Sequence, residues 1–143
     1  MESPDGAWVE AVRHELRSFN AEANPVFWAA RGQPGGDPRP LNVFALDERR
    51  AVIGGLLGST QFAWLRIDIM ATAQASRRRG IGSALLARAE DEARARGCRH
   101  AYVDTMTYQA PAFDERAGYR IVGRLDDWDS HGHAKLFLVK ALA

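Results

Sequence analysis

Residues 77–83 read Arg-Arg-Arg-Gly-Ile-Gly-Ser, three cations set directly against two glycines, and then run into the leucines of ALLARAEDEARARG. Such a run suits an anion. A helix N-terminus leaves about four backbone N–H groups without an intrahelical acceptor and carries partial positive charge, so the main chain itself stabilises a phosphate placed there. Glycines at 80 and 82 remove Cβ atoms that would hinder the approach. Two other phosphate loops are excluded. No Lys-Ser/Thr follows in the P-loop position, and Leu85 stands where a dinucleotide fingerprint needs its third glycine. A solvated surface turn is the alternative reading of the arginines. Upstream, Asp68 is a carboxylate inside an otherwise apolar run, a candidate for proton transfer. His131 and His133 flank Gly132, but no Cys or further His clusters with them, which favours a polar hairpin loop over a metal site. Cys98 has two readings, an acyl-carrying nucleophile or, more commonly, a small buried hydrophobe.

The elements that must position these groups follow from periodicity. Trp8, Val12, Leu16 and Phe19 fall at helical spacing within residues 7–19. A short helical turn is expected around Val26 to Ala30, followed by an irregular Pro/Gly loop. LNVFAL, AVIGGLLGS and FAWLRIDIMAT then read as a three-strand antiparallel meander. Residues 80–96 return to helical period, with Ile81, Leu85, Ala89 and Ala93 on one stripe, Arg88, Asp91, Glu92 and Arg96 outside it, and Gly97 as the C-terminal cap. HAYVDT is a fifth-strand candidate, residues 111–117 form a short helix entered at Pro111 and left at Gly118, and YRIVGRL and KLFLVKAL close the chain as strands. The fold class is α/β (α+β): one mixed, mostly antiparallel sheet with helices on both faces, in a single domain over residues 1–143.

Composition narrows the function classes. Nineteen basic residues against eighteen acidic give a net charge of +1, so no overall field draws nucleic acid or an anionic membrane, and any anion site is local. No apolar stretch approaches the roughly 20 residues that span a bilayer. One cysteine makes no internal disulfide, and MESPDGAW has neither the basic start nor the apolar run of a secretion signal. A cytoplasmic location is the expectation.

Arg77-Arg78-Arg79-Gly80-Ile81-Gly82 resembles the Arg/Gln-x-x-Gly-x-Gly/Ala signature of the GNAT superfamily of acyl-CoA-dependent N-acyltransferases. The strand LRIDIMAT before it, the helix and HAYVDT after it, DTMTYQAPAF and the exit AGYRIVGRL are similar to their counterparts in that superfamily, over about residues 41–143. The resemblance implies a sheet splayed between the strands near 63–72 and 100–105, with the pantetheine arm of acetyl-CoA in the opening. Backbone groups of the segment Met70, Ala71 and Thr72 would bond that arm as an added strand does. The amides from Arg77 through Arg78, Arg79, Gly80, Ile81 and Gly82 to Ser83 would wrap the pyrophosphate. Thr107 stands where the family often has a cofactor-contacting Asn. Acetyl-CoA is thus the implied co-substrate, with no metal, and the second partner is an amine acceptor. Nucleic acid and membrane are not expected partners, and a homodimer is left open.

An amine attacks a thioester only when neutral. A lysine-like amine exposes its lone pair at pH 7 at a cost of about 4.6 kcal/mol, so a nearby base is useful. The family commonly draws that base from the strand bearing Asp68, and alternation along a strand would place Asp68 on one face with Met70 and Thr72. The alternative for Asp68 is an ion pair with Arg66 of a neighbouring copy or with a loop arginine. Backbone N–H near Met70 or Thr72 would stabilise the developing oxyanion. In the family a Phe-Tyr pair supplies the Tyr that protonates the CoA thiolate, whereas here the pair is Phe113-Asp114. Three routes remain: Asp114 with a raised pKa, Tyr108 in its stead, or unassisted departure. Trp28, Trp64 and Trp128 are candidate walls of an acceptor pocket, and Asp126, Asp127 and Asp129 would favour a cationic acceptor. The rival functions are a CoA-binding domain without catalysis and a nucleic-acid-binding module that clamps phosphate with its arginines.

Overall fold

The computed structural model describes residues 5–143; the first four residues of MESPDGAW lie outside it. The chain divides between Asp37 and Pro38 into two compact units.

The first unit holds α1 (Gly6–Ala23) and α2 (Pro25–Arg31). Asp5 caps α1 by accepting from the N–H of Ala7 at 2.8 Å. Asn24 closes α1 and opens α2, where its side chain accepts from Phe27 N–H at 3.3 Å and Pro25 fills the first turn. The amphipathic helix read over 7–19 thus extends a turn further, as far as Asn24 stops it.

The second unit is a six-stranded sheet of β1 (Arg39–Leu46), β2 (Val52–Gln61), β3 (Trp64–Thr72), β4 (His100–Met106), β5 (Arg120–Leu125) and β6 (Lys135–Ala141), in the order β1-β2-β3-β4-β6-β5. HAYVDT is therefore the fourth strand, since only three precede it. Every neighbouring pair is antiparallel except β3 with β4. Helix α3 (Ile81–Ala95) packs on one face through Leu85, Leu86, Ala89 and Ala93, against Leu56, Leu65, Ile67 and Leu138 of the sheet. Gly97 takes the left-handed backbone that ends α3, at φ 89°. Helix α4 (Pro111–Arg116) follows β4.

Two irregularities shape the centre. Parallel pairing of β3 with β4 runs from Trp64 with His100 to Ile67 with Val103 and stops, although β3 continues to Thr72 and β4 to Met106. The strands therefore fork. On the other side of β3, Gly58 pairs with Ile67 and Leu57 with Ile69, so Asp68 is an extra residue without a partner across from it. This bulge depends on Gly58, because a Cβ there would collide with the carbonyl oxygen of Arg66.

A buried charge cluster joins α3 to the last strand. Glu90, 4% exposed, accepts from the Tyr119 hydroxyl at 3.0 Å and from Lys140 Nζ at 2.7 Å, with Arg94 3.8 Å away. Burial, with Glu90 beside it, pushes the Tyr119 hydroxyl strongly upward in pKa.

Candidate active site

The fork opens a cleft of about 300 Å³ whose walls include Asp68, Ile69 and Met70 of β3, Val103, Asp104 and Thr105 of β4, and Phe113 and Asp114 of α4. Residues distant in sequence meet here because β3 and β4 stop pairing. One edge of β3 beyond Ile67 lacks a strand neighbour, which leaves room for an extended ligand to lie beside Met70, Ala71 and Thr72.

The loop entering α3 leaves a run of backbone N–H groups unpaired. Arg78 and Gly80 both adopt left-handed backbone, at φ 66° and 75°. The N–H groups of Arg78, Arg79, Gly80, Ile81, Gly82 and Ser83 have no hydrogen-bond acceptor among the described residues; the first bond of α3 runs from Ala84 N–H to Gly80 O at 3.0 Å. Successive free amides in such a turn form a concave anion nest. The arginines differ from one another: Arg77 reaches back to the carbonyl of Thr72, with Nε at 3.4 Å, and braces the loop to the end of β3. The two glycines differ as well. Gly80 serves its positive φ, whereas a Cβ on Gly82 would stand 3.3 Å from the ring of Phe113. Gly82 therefore makes space chiefly for α4, a correction to the idea that both glycines clear the anion's path.

The bulge also corrects the expected alignment of Asp68 with Met70 and Thr72. Leu65 and Ile67 face the core, and after the extra residue it is Met70 that packs there. The inward register passes from odd to even positions at Asp68, so strict alternation does not hold there, and its side chain is exposed. No ion pair of Asp68 within the chain is present among the described residues, so no loop arginine of the same chain claims it.

Asp114 is only 7% exposed, its carboxylate has no hydrogen-bond donor, and burial raises its pKa above the ordinary 3.8. Its backbone carbonyl accepts from Ala117 and Tyr119 and fixes the end of α4. A carboxyl that binds its proton more tightly when folded favours the folded state fully below the unfolded pKa. That advantage is lost as pH rises from about 3.8 through the raised value. Asp114→Asn is therefore expected to be the more stable protein at pH 7, with the gap closing toward pH 3. Urea denaturation at the two pH values checks this, and a gap that widens on acidification contradicts the sign.

The other candidates stand elsewhere. Tyr108 is 61% exposed, meets the ring of His133 edge-on at 5.0 Å, and is absent from the cleft walls. Thr107 ties the end of β4 to the residue before β6: its N–H donates to Ala134 O at 3.0 Å and its hydroxyl accepts from Ala134 N–H at 3.3 Å. Trp64 packs against His100, Trp128 lies under Lys135, and Trp28 belongs to the first unit. Cys98 is buried and its thiol is pushed up in pKa by that burial, the environment of a packing residue. His131 and His133 belong to a self-contained turn in which Asp129 accepts both their N–H groups and holds the His133 ring at 2.6 Å. The acids of that loop are committed: Asp126 pairs with Arg124 at 2.6 Å and Asp127 accepts from Gly132 N–H at 2.7 Å. They are poor recruits for an acceptor.

Asp104 escaped the sequence reading. It accepts from the Tyr102 hydroxyl at 3.1 Å, and burial followed by this carboxylate pushes Tyr102 up to about 12. Its only sequence signal is a carboxylate in an apolar strand, the same signal that singled out Asp68.

Residues 8–119 match the acetyltransferase (GNAT) family. The chain is 39% identical to blasticidin-S acetyltransferase of Streptomyces morookaense over 131 residues, covering 89% of this chain and 96% of that one. It is 43% identical to acetyltransferase Atu2258 of Agrobacterium fabrum over 116 residues, covering 81% and 78%. The crystal structure of an acetyltransferase from Bacillus cereus superposes with a TM-score of 0.82 at 26% identity, covering 99% of this chain and 96% of that one. The chain belongs to the GNAT family and is an acetyl-CoA-dependent N-acetyltransferase. No helix among the described residues is long and apolar enough to cross a membrane.

Proposed function

We propose that both units form one acetyltransferase domain that binds acetyl-CoA along the fork and passes its acetyl group directly to an amine, with Asp68 as base and Asp114 as acid. The match to the family spans residues of both units, which supports treating them together. The single observation that supports the site assignment is the fork, which leaves a free edge on β3 beyond Ile67 and opens a cleft lined by Asp68 and Asp114. These residues fit the ligand: six unpaired amides suit a pyrophosphate, and an unpaired strand edge suits an amide-bearing arm. Acetyl-CoA supplies an acetyl thioester. Asp68, exposed at the cleft, takes the proton from the attacking nitrogen as the C–N bond forms. The C–S bond breaks, and Asp114, whose pKa burial raises, gives its proton to the sulfur. The balance is one proton accepted and one donated, restored by solvent between turnovers. Tyr108 is the alternative proton donor, and it would have to reach the cleft from its exposed turn. A domain without catalysis is the rival where Asp114 replaces the family's tyrosine, and a buried carboxyl with a raised pKa is the feature that favours catalysis instead.

Acetyl-CoA at about 100 times its Kd is expected to stabilise the protein by about 2.7 kcal/mol, read as a shift in thermal or urea denaturation. No shift would overturn the cofactor site.

A further inference from the structure

The sheet has two edges, β1 and β5, and they are built differently. An edge strand presents unpaired N–H and C=O groups, which charged side chains, bulges or a covering element ordinarily shield from pairing with another chain. β5 carries Arg120 and Arg124, and its register shifts between Ile121 and Gly123, in the middle of the strand. Over residues 41–45, β1 has neither device. Leu41, Asn42, Val43, Phe44 and Ala45 bear no charge, their pairing with β2 is regular, and the irregularity comes only between Ala45 and Leu46. Leu41, Val43 and Ala45 pack toward the core, whereas Phe44 is 56% exposed.

The two ends of this strand carry opposite charge. Arg39 begins it, and its guanidinium has no carboxylate partner among the described residues. Just past the other end, Asp47 holds the turn through Oδ1, which accepts from the N–H groups of Arg49 and Ala51 at 2.8 and 2.9 Å. Glu48 beside it has no cation among the described residues. A strand that is cationic at one end and anionic at the other is complementary to a copy of itself laid antiparallel.

We propose that β1 is a homodimer seam, pairing antiparallel with β1 of a second copy about a two-fold axis through Val43, so that the two sheets become one. In that register Val43 faces Val43, Leu41 faces Ala45, Asn42 faces Phe44, and Arg39 faces Asp47 with Glu48 next to it. A two-fold centred on Asn42 or Phe44 sets Arg39 against Ala45 or Arg49 instead, so charge selects Val43. Pro40, which lacks an N–H, falls outside the five central pairs. Opposed residues of the pair share a face, which brings both α3 helices to one side of the joined sheet. There the cavity of about 320 Å³ walled by Leu41, Val43, Arg88 and Glu92 gains a further wall from the other copy. On the opposite face the two Phe44 rings stand diagonally across the seam, within aromatic reach. This inference stands apart from the acetyl-transfer reading, since no residue of β1 lines the cleft at the fork.

Sedimentation of the full chain at low salt, from micromolar to submillimolar, is expected to show a monomer–dimer equilibrium. Arg39→Glu sets like charges against each other twice per dimer and should raise the dissociation constant about tenfold. Mild oxidation of Val43→Cys should yield a disulfide-linked dimer, because opposed side chains hold their Cβ atoms about 4.5–5.5 Å apart. Ala45→Cys is the control on the same strand and face: its counterpart stands opposite Leu41, about 13 Å away along the strand. Cys98 is buried and common to all samples. Arg39 is exposed, so its variant reads the interface even where the half-buried Val43 does not tolerate cysteine. A monomer throughout the range overturns the inference and leaves the edge to a different chain. A dimer unmoved by Arg39→Glu, or linked equally by the two cysteine variants, places the contact elsewhere and overturns it as well.

Discussion

Asp68→Asn is expected to lower kcat for amine acetylation by about 10²- to 10⁴-fold while leaving acetyl-CoA binding within a few-fold of the wild type. Asparagine keeps the size of the side chain and the unpaired bulge position opposite Leu57 and Gly58, so the fork should persist. What disappears is the ability to accept a proton. Raising pH should partly rescue the variant by supplying neutral amine from solution. A variant with near-normal kcat and an unchanged pH dependence would remove Asp68 from the chemistry. Its position at the bulge would then be a matter of strand geometry.

The second large effect concerns stability. Glu90→Ala leaves the Tyr119 hydroxyl, Lys140 and Arg94 around an empty site, with Lys140 only 22% exposed in its side chain. Removing one partner of a buried ion pair typically costs about 3–5 kcal/mol. The lower end applies here, because Arg94 is 42% exposed and can turn to water. A loss of about 3 kcal/mol corresponds to roughly 10 °C in Tm for a domain of this size. The double variant Glu90→Leu with Lys140→Met should recover most of it, since the uncompensated charge is gone. Recovery failing in the double variant, with the single variant as costly as expected, would mean that the cluster contributes through the Tyr119 hydrogen bond and not through the charges.

The helices and strands were largely readable from period. Leu85, Ala89 and Ala93 fall on the buried stripe of α3, and each apolar run from LNVFAL to KLFLVKAL became a strand with ends displaced by only a few residues. The turn before α3 was readable too, because its left-handed backbone leaves a trace in Gly80. Non-local register was not. Whether Asp68 shares a face with Met70 depends on the Leu57/Gly58 irregularity, a property of two strands together. Gly58 in the middle of an apolar strand was the available sign, since interior strand glycines mark bulges and close approaches. Glu90 illustrates a different failure. The helical stripe did not place it on either side, and only Lys140 and Tyr119, dozens of residues away, make its burial tolerable. The acids of residues 126–129 attracted notice as a cluster, but short-range hydrogen bonds consume them within their own turn.

Thiol release from acetyl-CoA by the wild-type protein over a panel of primary amines tests the account most directly. The fork, its amide nest and its two opposed carboxyls predict amine-dependent release, with one acetylated amine formed for each thiol. Protein that is stabilised by acetyl-CoA yet releases thiol no faster with any amine than without one would contradict it.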